Sequence, residues 1–499
     1  MKHFLTFDIG TTAVKTCLFD ESFRLLSIAN DEYQLQTSEN GFVELDANAY
    51  WDAVCQGAKK VLQSSTVPAS EIDAIAVTTQ GETLIPIDAD GNALHKAIVW
   101  LDCRAERQAE ALGKKISVEA FYRQTGLGEI NGYLPLAKLM WLRENKPEIY
   151  EKTFKFLLLE DYILYRFTGL TVTEKSLACS TGWFSLADDE YSSELLKLAE
   201  IDEEKLPLLT EPGSVLPMPV LPQIRTQFGF SDRIRIVTAA MDQVAGALGA
   251  GNISPGCVTE TTGTALAIGA SVEMPDFEDE NRITVYRHVK KGLYLMMPFC
   301  MTGGMFLKWF KDSFCAEEIL QAKQQKRSVY DILNEKAAEA PAGCGGLIAL
   351  PYLTGSQSNP NMRAVFFGAG LDTDRSCFLR SVYEGVAFML RENLELLCRV
   401  TKTPITQIHS LGGGAKSPLW RQIKADVCAI PVGLPHQTES TSLGAAMLCA
   451  VACGCYPSVQ QAVSQVTAQT EWIKPTDKSE YENNYKKYRE LICRLDSLF

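Results

Sequence analysis

Apolar and polar residues follow two different rhythms in the first hundred positions of the chain. FLTFDI (residues 4–9), VKTCLF (14–19) and LLSIA (25–29) read as strands, and the Gly10-Thr11-Thr12 turn between the first two predicts a hairpin. Between residues 46 and 65 the period changes. Tyr50, Trp51, Val54, Cys55, Ala58, Val61 and Leu62 recur at helical spacing, with Asp46 placed to cap the N-terminus. IDAIAV (72–77), LIPID (84–88) and AIVW (97–100) return to strand character around an Asp90-Gly91 turn. Strands alternating with a helix predict an α/β fold rather than a bundle.

The second half repeats this outline. CVTET (257–261), the turn Thr262-Gly263-Thr264, and ALAIGA (265–270) again place two strand-like runs around a Gly/Thr turn. Further on, ITQIHSL (405–411) reads as a strand and Gly412-Gly413-Gly414 as a sharp turn. The segment from Ser417 to Val427 reads as a helix with Trp420, Ile423 and Val427 on one face. Five prolines between Pro207 and Pro222 mark an extended loop. The expected division is therefore a first domain of residues 1–246 and a second of 247–499.

Composition narrows the function without choosing it. The 48 Lys+Arg stand against 61 Asp+Glu, a net charge of -13, and no basic run overrides it. Neither nucleic acid nor an anionic membrane is an expected partner. The N-terminus reaches Asp8 too soon for a secretory signal, and the longest small-apolar stretch, Leu443 to Tyr456, is 14 residues and broken by glycine. Fifteen cysteines without a signal are expected to be reduced thiols in a cytoplasmic protein. Cys449, Cys453 and Cys455 cluster, yet no fourth ligand lies near them, so helix packing is preferred to a zinc site.

The candidate chemistry collects at three turns and two carboxylates. DIGTT at Asp8, TGT at Thr262 and LGGGA at Leu411 each offer backbone N–H groups without a Cβ in the way, the kind of group that binds phosphate oxygens. Each turn alone is weak evidence and reads first as structural; their joint presence carries the argument. Asp8, at the end of the first strand, suits a water-mediated contact with Mg²⁺ or else caps its turn. RIRIVTAAMDQVAGALGAG delivers Asp242 and Gln243 from a strand to the start of a helix, where open α/β sheets bind ligands. An aspartate there is also an ordinary helix-start residue. Phosphorylating a sugar hydroxyl needs a nearby base, and Asp242 is the best candidate.

With these residues in view, the chain resembles the FGGY family of carbohydrate kinases, of the actin/hexokinase/Hsp70 ATPase superfamily. DIGTTAVK resembles the first phosphate loop, Met241 to Gln243 the catalytic segment, and TGT at Thr262 the second phosphate loop. YLPLAKLMWLREN from Tyr133 and GGGAKSPLWRQIKADVCAIPV from Gly412 resemble the two family signatures. The resemblance implies two ribonuclease-H-like domains around a central cleft, with the sugar held mainly by the first and ATP by the second. Asp242 is then the catalytic base, with Asp8 near Mg²⁺. It implies ATP contacts from Gly10, Thr11, Thr12 and Lys15, from Gly263, Thr264, Gly304 and Lys308, and from Gly412, Gly413, Gly414 and Ser417. A homodimer is left open.

The implied sugar contacts are Gln80, Glu82, Trp100, Asp102, Tyr133, Asp242 and Gln243. The loop Thr79-Gln80-Gly81-Glu82-Thr83 departs from known subfamilies. Xylulokinases usually carry Gln-Met-His-Gly there and glycerol kinases Gln-Arg-Glu-Thr; Gly81 replaces that arginine and is expected to leave space for a longer acceptor. Trp100-Leu-Asp102-Cys-Arg104 resembles a run common in xylulokinases, although Asp102 and Arg104 also read as a structural ion pair. Ser356-Gln357 stands where many relatives have Glu-Arg. The expected reaction is ATP-dependent phosphorylation of a small sugar, a ketopentose such as xylulose first. The alternatives are glycerol, erythritol, gluconate or a deoxy sugar as acceptor, and a non-catalytic actin-like ATPase-fold binding protein. A redox dinucleotide enzyme is disfavoured because the first glycine turn leads into a strand.

Overall fold

The opening alternation becomes a five-stranded sheet. β1 (His3–Ile9), β2 (Ala13–Asp20) and β3 (Leu25–Glu32) form an antiparallel meander, and β4 (Ala74–Thr79) and β5 (Arg235–Thr238) add in parallel on the other side of β1. β1 is buried along almost its full length and β4 throughout, as expected of central strands covered on both faces. α1 (Ala47–Ser64) begins where the spacing places it: the Asp46 carboxylate accepts from the Asn48 N–H at 2.9 Å, a cap contributing about 1 kcal/mol. This computed structural model describes every residue except Glu39, Gln357, Ser358, Asp477, Lys478 and Phe499, so the Gln357 departure lies outside the described residues.

A second unit repeats the plan. β6 (Cys257–Thr262) pairs antiparallel with β7 (Leu266–Val272) and parallel with β8 (Gln407–Leu411); β9 (Val432–Leu434) continues in parallel beyond β8, and β10 (Glu471–Ile473) closes antiparallel. In both sheets a hairpin with a Gly/Thr turn is followed by parallel strands added beside its first member. That shared order gives the faint repeat in sequence a structural basis.

Chain order and unit membership do not run in step. One unit comprises Met1–Ile253, Glu273–Met296 and Glu439–Ala468; the other comprises Ser254–Val272, Met297–Thr438 and Gln469–Phe499. Most of the small-apolar stretch from Leu443 is the buried helix Ser440–Ala452, part of the first unit. It lies backbone to backbone against α2 (Asp242–Gly249). A Cβ on Gly249 would stand 1.9 Å from the Ser440 carbonyl oxygen, and one on Gly444 2.0 Å from that of Ala245. Ala/Gly-rich composition is thus the condition for packing the helix that begins with Asp242. Among the described residues no helix is long and apolar enough to cross a membrane.

Candidate active site

Two carboxylates of the first unit, Asp8 and Glu82, act electrostatically on a third, Asp242. Asp8 lies near the end of β1, opposite Lys15 on β2 and Thr78 on β4. Asp242 opens α2, with one carboxylate oxygen accepting from the Gln243 N–H at 2.6 Å. Burial pushes Asp8 up to about 6, opposed by Lys15. Asp242 is pushed up to about 7 by burial, then by the negative charges of Asp8 and Glu82. Glu82 is likewise raised by burial, opposed by Lys138. Asp242 therefore lies within electrostatic reach of both Asp8 and Glu82. Lys15 pairs with Glu439 at 2.5 Å.

The acceptor loop runs directly off β4. The Gln80 N–H donates to the Ile9 carbonyl at 3.0 Å, and its side-chain amide to the Thr83 hydroxyl at 3.0 Å. Glu82 sits at φ 55°, a left-handed conformation that costs a non-glycine residue about 1 kcal/mol. Buried Lys138 holds it there by donating to the carbonyls of Glu82 (3.2 Å) and Val99 (3.0 Å). Trp100 ties this region to the first hairpin, its indole N–H donating to the Thr11 hydroxyl at 3.0 Å. The room expected at Gly81 is filled: an added Cβ would meet the Ser180 hydroxyl at 3.1 Å and the Met241 sulfur at 3.4 Å. The glycine serves close packing of the loop against the segment before Asp242.

The remaining expected contacts divide. Asp102 is fully buried, taking Arg104 in a two-point pair at 2.8 and 2.7 Å and the Val43 N–H at 2.6 Å, so its oxygens are committed to the fold. Tyr133 is 44% exposed, and Gln243 is exposed at the start of α2. Sequence reasoning missed two groups here. Lys138 lies inside the YLPLAKLMWLREN signature, which was a signal. Tyr286 carried none: it belongs to the strand Thr284–Arg287, which returns to the first unit, and its phenol feels the charges of Glu82 and Asp242. The Val285 N–H bonds the Gly126 carbonyl at 2.8 Å and the Arg287 N–H the Cys179 sulfur at 3.4 Å, anchoring both sides of Tyr286.

The donor set fits a hydrated divalent cation rather than a caged one. Among the described residues no three His, Cys, Asp or Glu side chains gather as a ligand group. Asp8 is nevertheless a buried carboxylate raised in the fold, and a cation that keeps most of its water needs only such a contact.

In the second unit the three glycine segments meet. The Gly304 N–H donates to the Gly263 carbonyl at 2.6 Å, joining the start of α3 (Gly304–Phe314) to the tip of the β6–β7 hairpin. A Cβ on Gly304 would stand 2.5 Å from the Gly263 carbonyl oxygen, and one on Gly414 2.7 Å from the Thr262 Cβ. Gly412 adopts φ 74°, which turns the chain from β8 into the short helix Gly412–Ala415. A Cβ on Gly263 or on Gly413 would meet nothing within 4 Å. Thr264 is exposed at the same tip. Beneath lies a fully buried Lys424–Glu260 pair at 2.5 Å, with Lys424 also donating to the Thr262 hydroxyl at 2.8 Å. Breaking such a pair costs about 3–5 kcal/mol.

Some expectations for the turns change. The hairpin glycine N–H groups are not free: Gly10 donates to the Ala13 carbonyl at 3.0 Å and Gly263 to that of Ala265 at 3.1 Å, because each closes its own turn. What the tips present is threonine, Thr12 and Thr264 being exposed. Lys308 is exposed and pairs with Asp312 at 2.6 Å. Ser417 caps α4 (Pro418–Cys428), accepting from the Trp420 N–H at 3.1 Å and donating to Asn334 at 2.9 Å.

Comparison with known proteins agrees with this plan. The FGGY family of carbohydrate kinases, N-terminal domain, matches residues 3–249 and the C-terminal domain residues 258–453. The xylulose kinase of Bacillus subtilis (strain 168) is 28% identical over 99% of this chain and 95% of its own length. The gluconokinase of the same organism is 29% identical over 98% and 94%. A crystal structure of ligand-bound xylulose kinase from Lactobacillus acidophilus superposes with a TM-score of 0.88 at 26% identity, covering 99% of this chain and 98% of that one.

Proposed function

Because this chain belongs to the FGGY family of carbohydrate kinases, enzymes that draw on ATP to phosphorylate sugars, we propose that its acceptor is a neutral sugar, a ketopentose such as xylulose, with Asp242 as the general base. The observation that carries the acceptor reading is the charge of the site. Asp242 feels the charges of Asp8 and Glu82, and of the cations that act on these groups Lys15 is already paired with Glu439. An acceptor carrying its own carboxylate meets repulsion there; a polyhydroxy compound meets hydrogen-bond acceptors.

In this reading Glu82 accepts from vicinal hydroxyls, Gln80, Tyr133 and Gln243 complete the contacts, and Trp100 offers an apolar face while orienting Thr11. Asp102 acts through Arg104 rather than on the sugar. The acceptor O–H passes its proton to Asp242 as the oxygen bonds the terminal phosphorus and the bond to ADP breaks. Thr11 and Thr12 receive the terminal phosphates with Gly10 shaping their turn and Lys15 adding charge. Gly263, Thr264, Gly304 and Lys308 serve the phosphate and ribose, and Gly412 to Gly414 with Ser417 the adenosine. Mg²⁺, when bound, would neutralise phosphate charge, and Asp8 is the residue that would hold it through water.

A coupled ADP-release assay over pentuloses, polyols and aldonates tests the acceptor. The expected ranking puts a pentulose first and gluconate at least about tenfold lower in kcat/KM, a difference of about 1.4 kcal/mol. A preference for gluconate overturns the neutral-sugar reading and leaves the kinase assignment intact.

The raised carboxyl predicts a pH dependence. Asp242 acts as a base only when ionised, and its folded value is about 7, so kcat/KM falls as pH drops below 7 and levels off above it. Burial sets this limb first, and the charges of Asp8 and Glu82 add to it. A rate that stays constant from pH 8 to pH 5 contradicts it.

A further inference from the structure

We propose that Glu160, Glu174 and Ser176 form a buried clamp that fixes where Asp242 stands, a positioning role that rests on reading Asp242 as the base. The turn Ala239-Ala240-Met241, between β5 and α2, carries no polar side chain of its own. Each of its three residues is nevertheless held by a side chain from a different element. The Ala239 N–H donates to Glu160 Oε1 at 3.3 Å, the Ala240 carbonyl accepts from the Thr78 hydroxyl at 2.6 Å, and the Met241 N–H donates to the Ser176 hydroxyl at 3.1 Å. Ser176 in turn donates to Glu174 Oε1 at 2.8 Å, and Glu174 also accepts from the Ser176 and Leu177 N–H groups at 2.7 and 2.5 Å. Glu160, Glu174, Ser176 and Thr78 are all fully buried.

Two features make this more than routine satisfaction of backbone groups. Thr78 pairs in register with Asp8, and its strand runs on into the acceptor loop, so the clamp binds the Asp242 turn to the frame that carries the other two carboxylates. Glu160 and Glu174 are also an expensive way to hold two N–H groups, since a buried carboxyl with no cation partner is destabilising unless it keeps its proton. Burial, with the charges of Glu174 and Asp161 beside it, pushes the Glu160 carboxyl well above its ordinary value. The result is a turn whose three residues are each tied by a hydrogen bond to a buried side chain. Misplacing a base by about 1 Å can cost up to about a hundredfold in rate.

Three variants assayed by steady-state kinetics with the preferred sugar test this. Ser176→Ala and Glu160→Ala are expected to lower kcat about tenfold to a hundredfold with KM for ATP held within about twofold. Glu160→Gln is expected to retain kcat within about threefold, because its amide oxygen still accepts from Ala239. Ser176→Ala removes a single atom and carries the test if Glu160→Ala does not fold. A folded Ser176→Ala enzyme with unchanged kcat overturns the clamp, and so does a Glu160→Gln enzyme as slow as Glu160→Ala. Wild-type enzyme that transfers no phosphoryl group, or whose rate is indifferent to Asp242→Asn, instead refutes the base reading on which the clamp depends.

Discussion

Asp242→Asn is expected to lower kcat by about 10²–10⁴-fold, the range that a positioned base contributes, while ATP still binds. Asparagine keeps the shape and the hydrogen bond from Gln243 but has no affinity for the acceptor's proton, so the loss falls on the transition state and not on the ground state. Folding is not expected to suffer. The wild-type carboxyl is raised to about 7 by burial and by Asp8 and Glu82, so at pH 8 the folded state must ionise a group it would rather keep protonated. The sign follows from linkage: a carboxyl raised in the folded state loses stability as pH climbs from its unfolded value to its folded one. Removing that charge should leave the variant at least as stable at pH 8 as the wild type. Steady-state kinetics and thermal melts at pH 8 read both quantities; unchanged turnover removes Asp242 from the chemistry.

The second large effect is expected from glycines of the second unit. Gly304→Ala places a Cβ 2.5 Å from the Gly263 carbonyl oxygen, a backbone atom that moves only if the hairpin tip moves. Overpacking of this kind costs about 1–3 kcal/mol, so both the melting temperature and the affinity for ATP should fall. Gly413→Ala is the informative contrast, because its Cβ meets nothing within 4 Å of the protein. That variant should melt like the wild type yet raise KM for ATP by about tenfold, if the nucleotide occupies the space in question. Equal melting temperatures together with equal KM values for Gly413→Ala and the wild type would remove Gly413 from the nucleotide site. The buried Lys424–Glu260 pair, with the Lys424 bond to the Thr262 hydroxyl, ties the base of the same hairpin to α4.

Much of this arrangement is legible in the order of the amino acids. Strand periodicity around Gly10 and Gly263, the Asp46 cap and the helix starting after Ser417 are local properties, decided within a few residues by backbone sterics and by which face is apolar. Asp8 and Asp242 are legible for a related reason, since each sits where a strand ends and a turn or helix begins. Gly81 misleads because a missing side chain looks like space in sequence, whereas the space belongs to Ser180, about a hundred positions later. The hairpin N–H groups mislead because a turn's own hydrogen bond is not visible until its geometry is known.

By itself, then, the amino-acid sequence determined two Gly/Thr hairpins, their following strands and helices, and a carboxylate at the head of α2. Those features follow from interactions that reach only a few residues along the chain. Only the tertiary structure decided that residues 273–296 return to the first unit and bring Tyr286 toward Glu82 and Asp242. It also decided that Lys138 holds the acceptor loop and that Glu160 and Ser176 hold the turn before Asp242. Burial, charge proximity and hydrogen bonds between distant segments depend on distances through space, and no local pattern of residues encodes them.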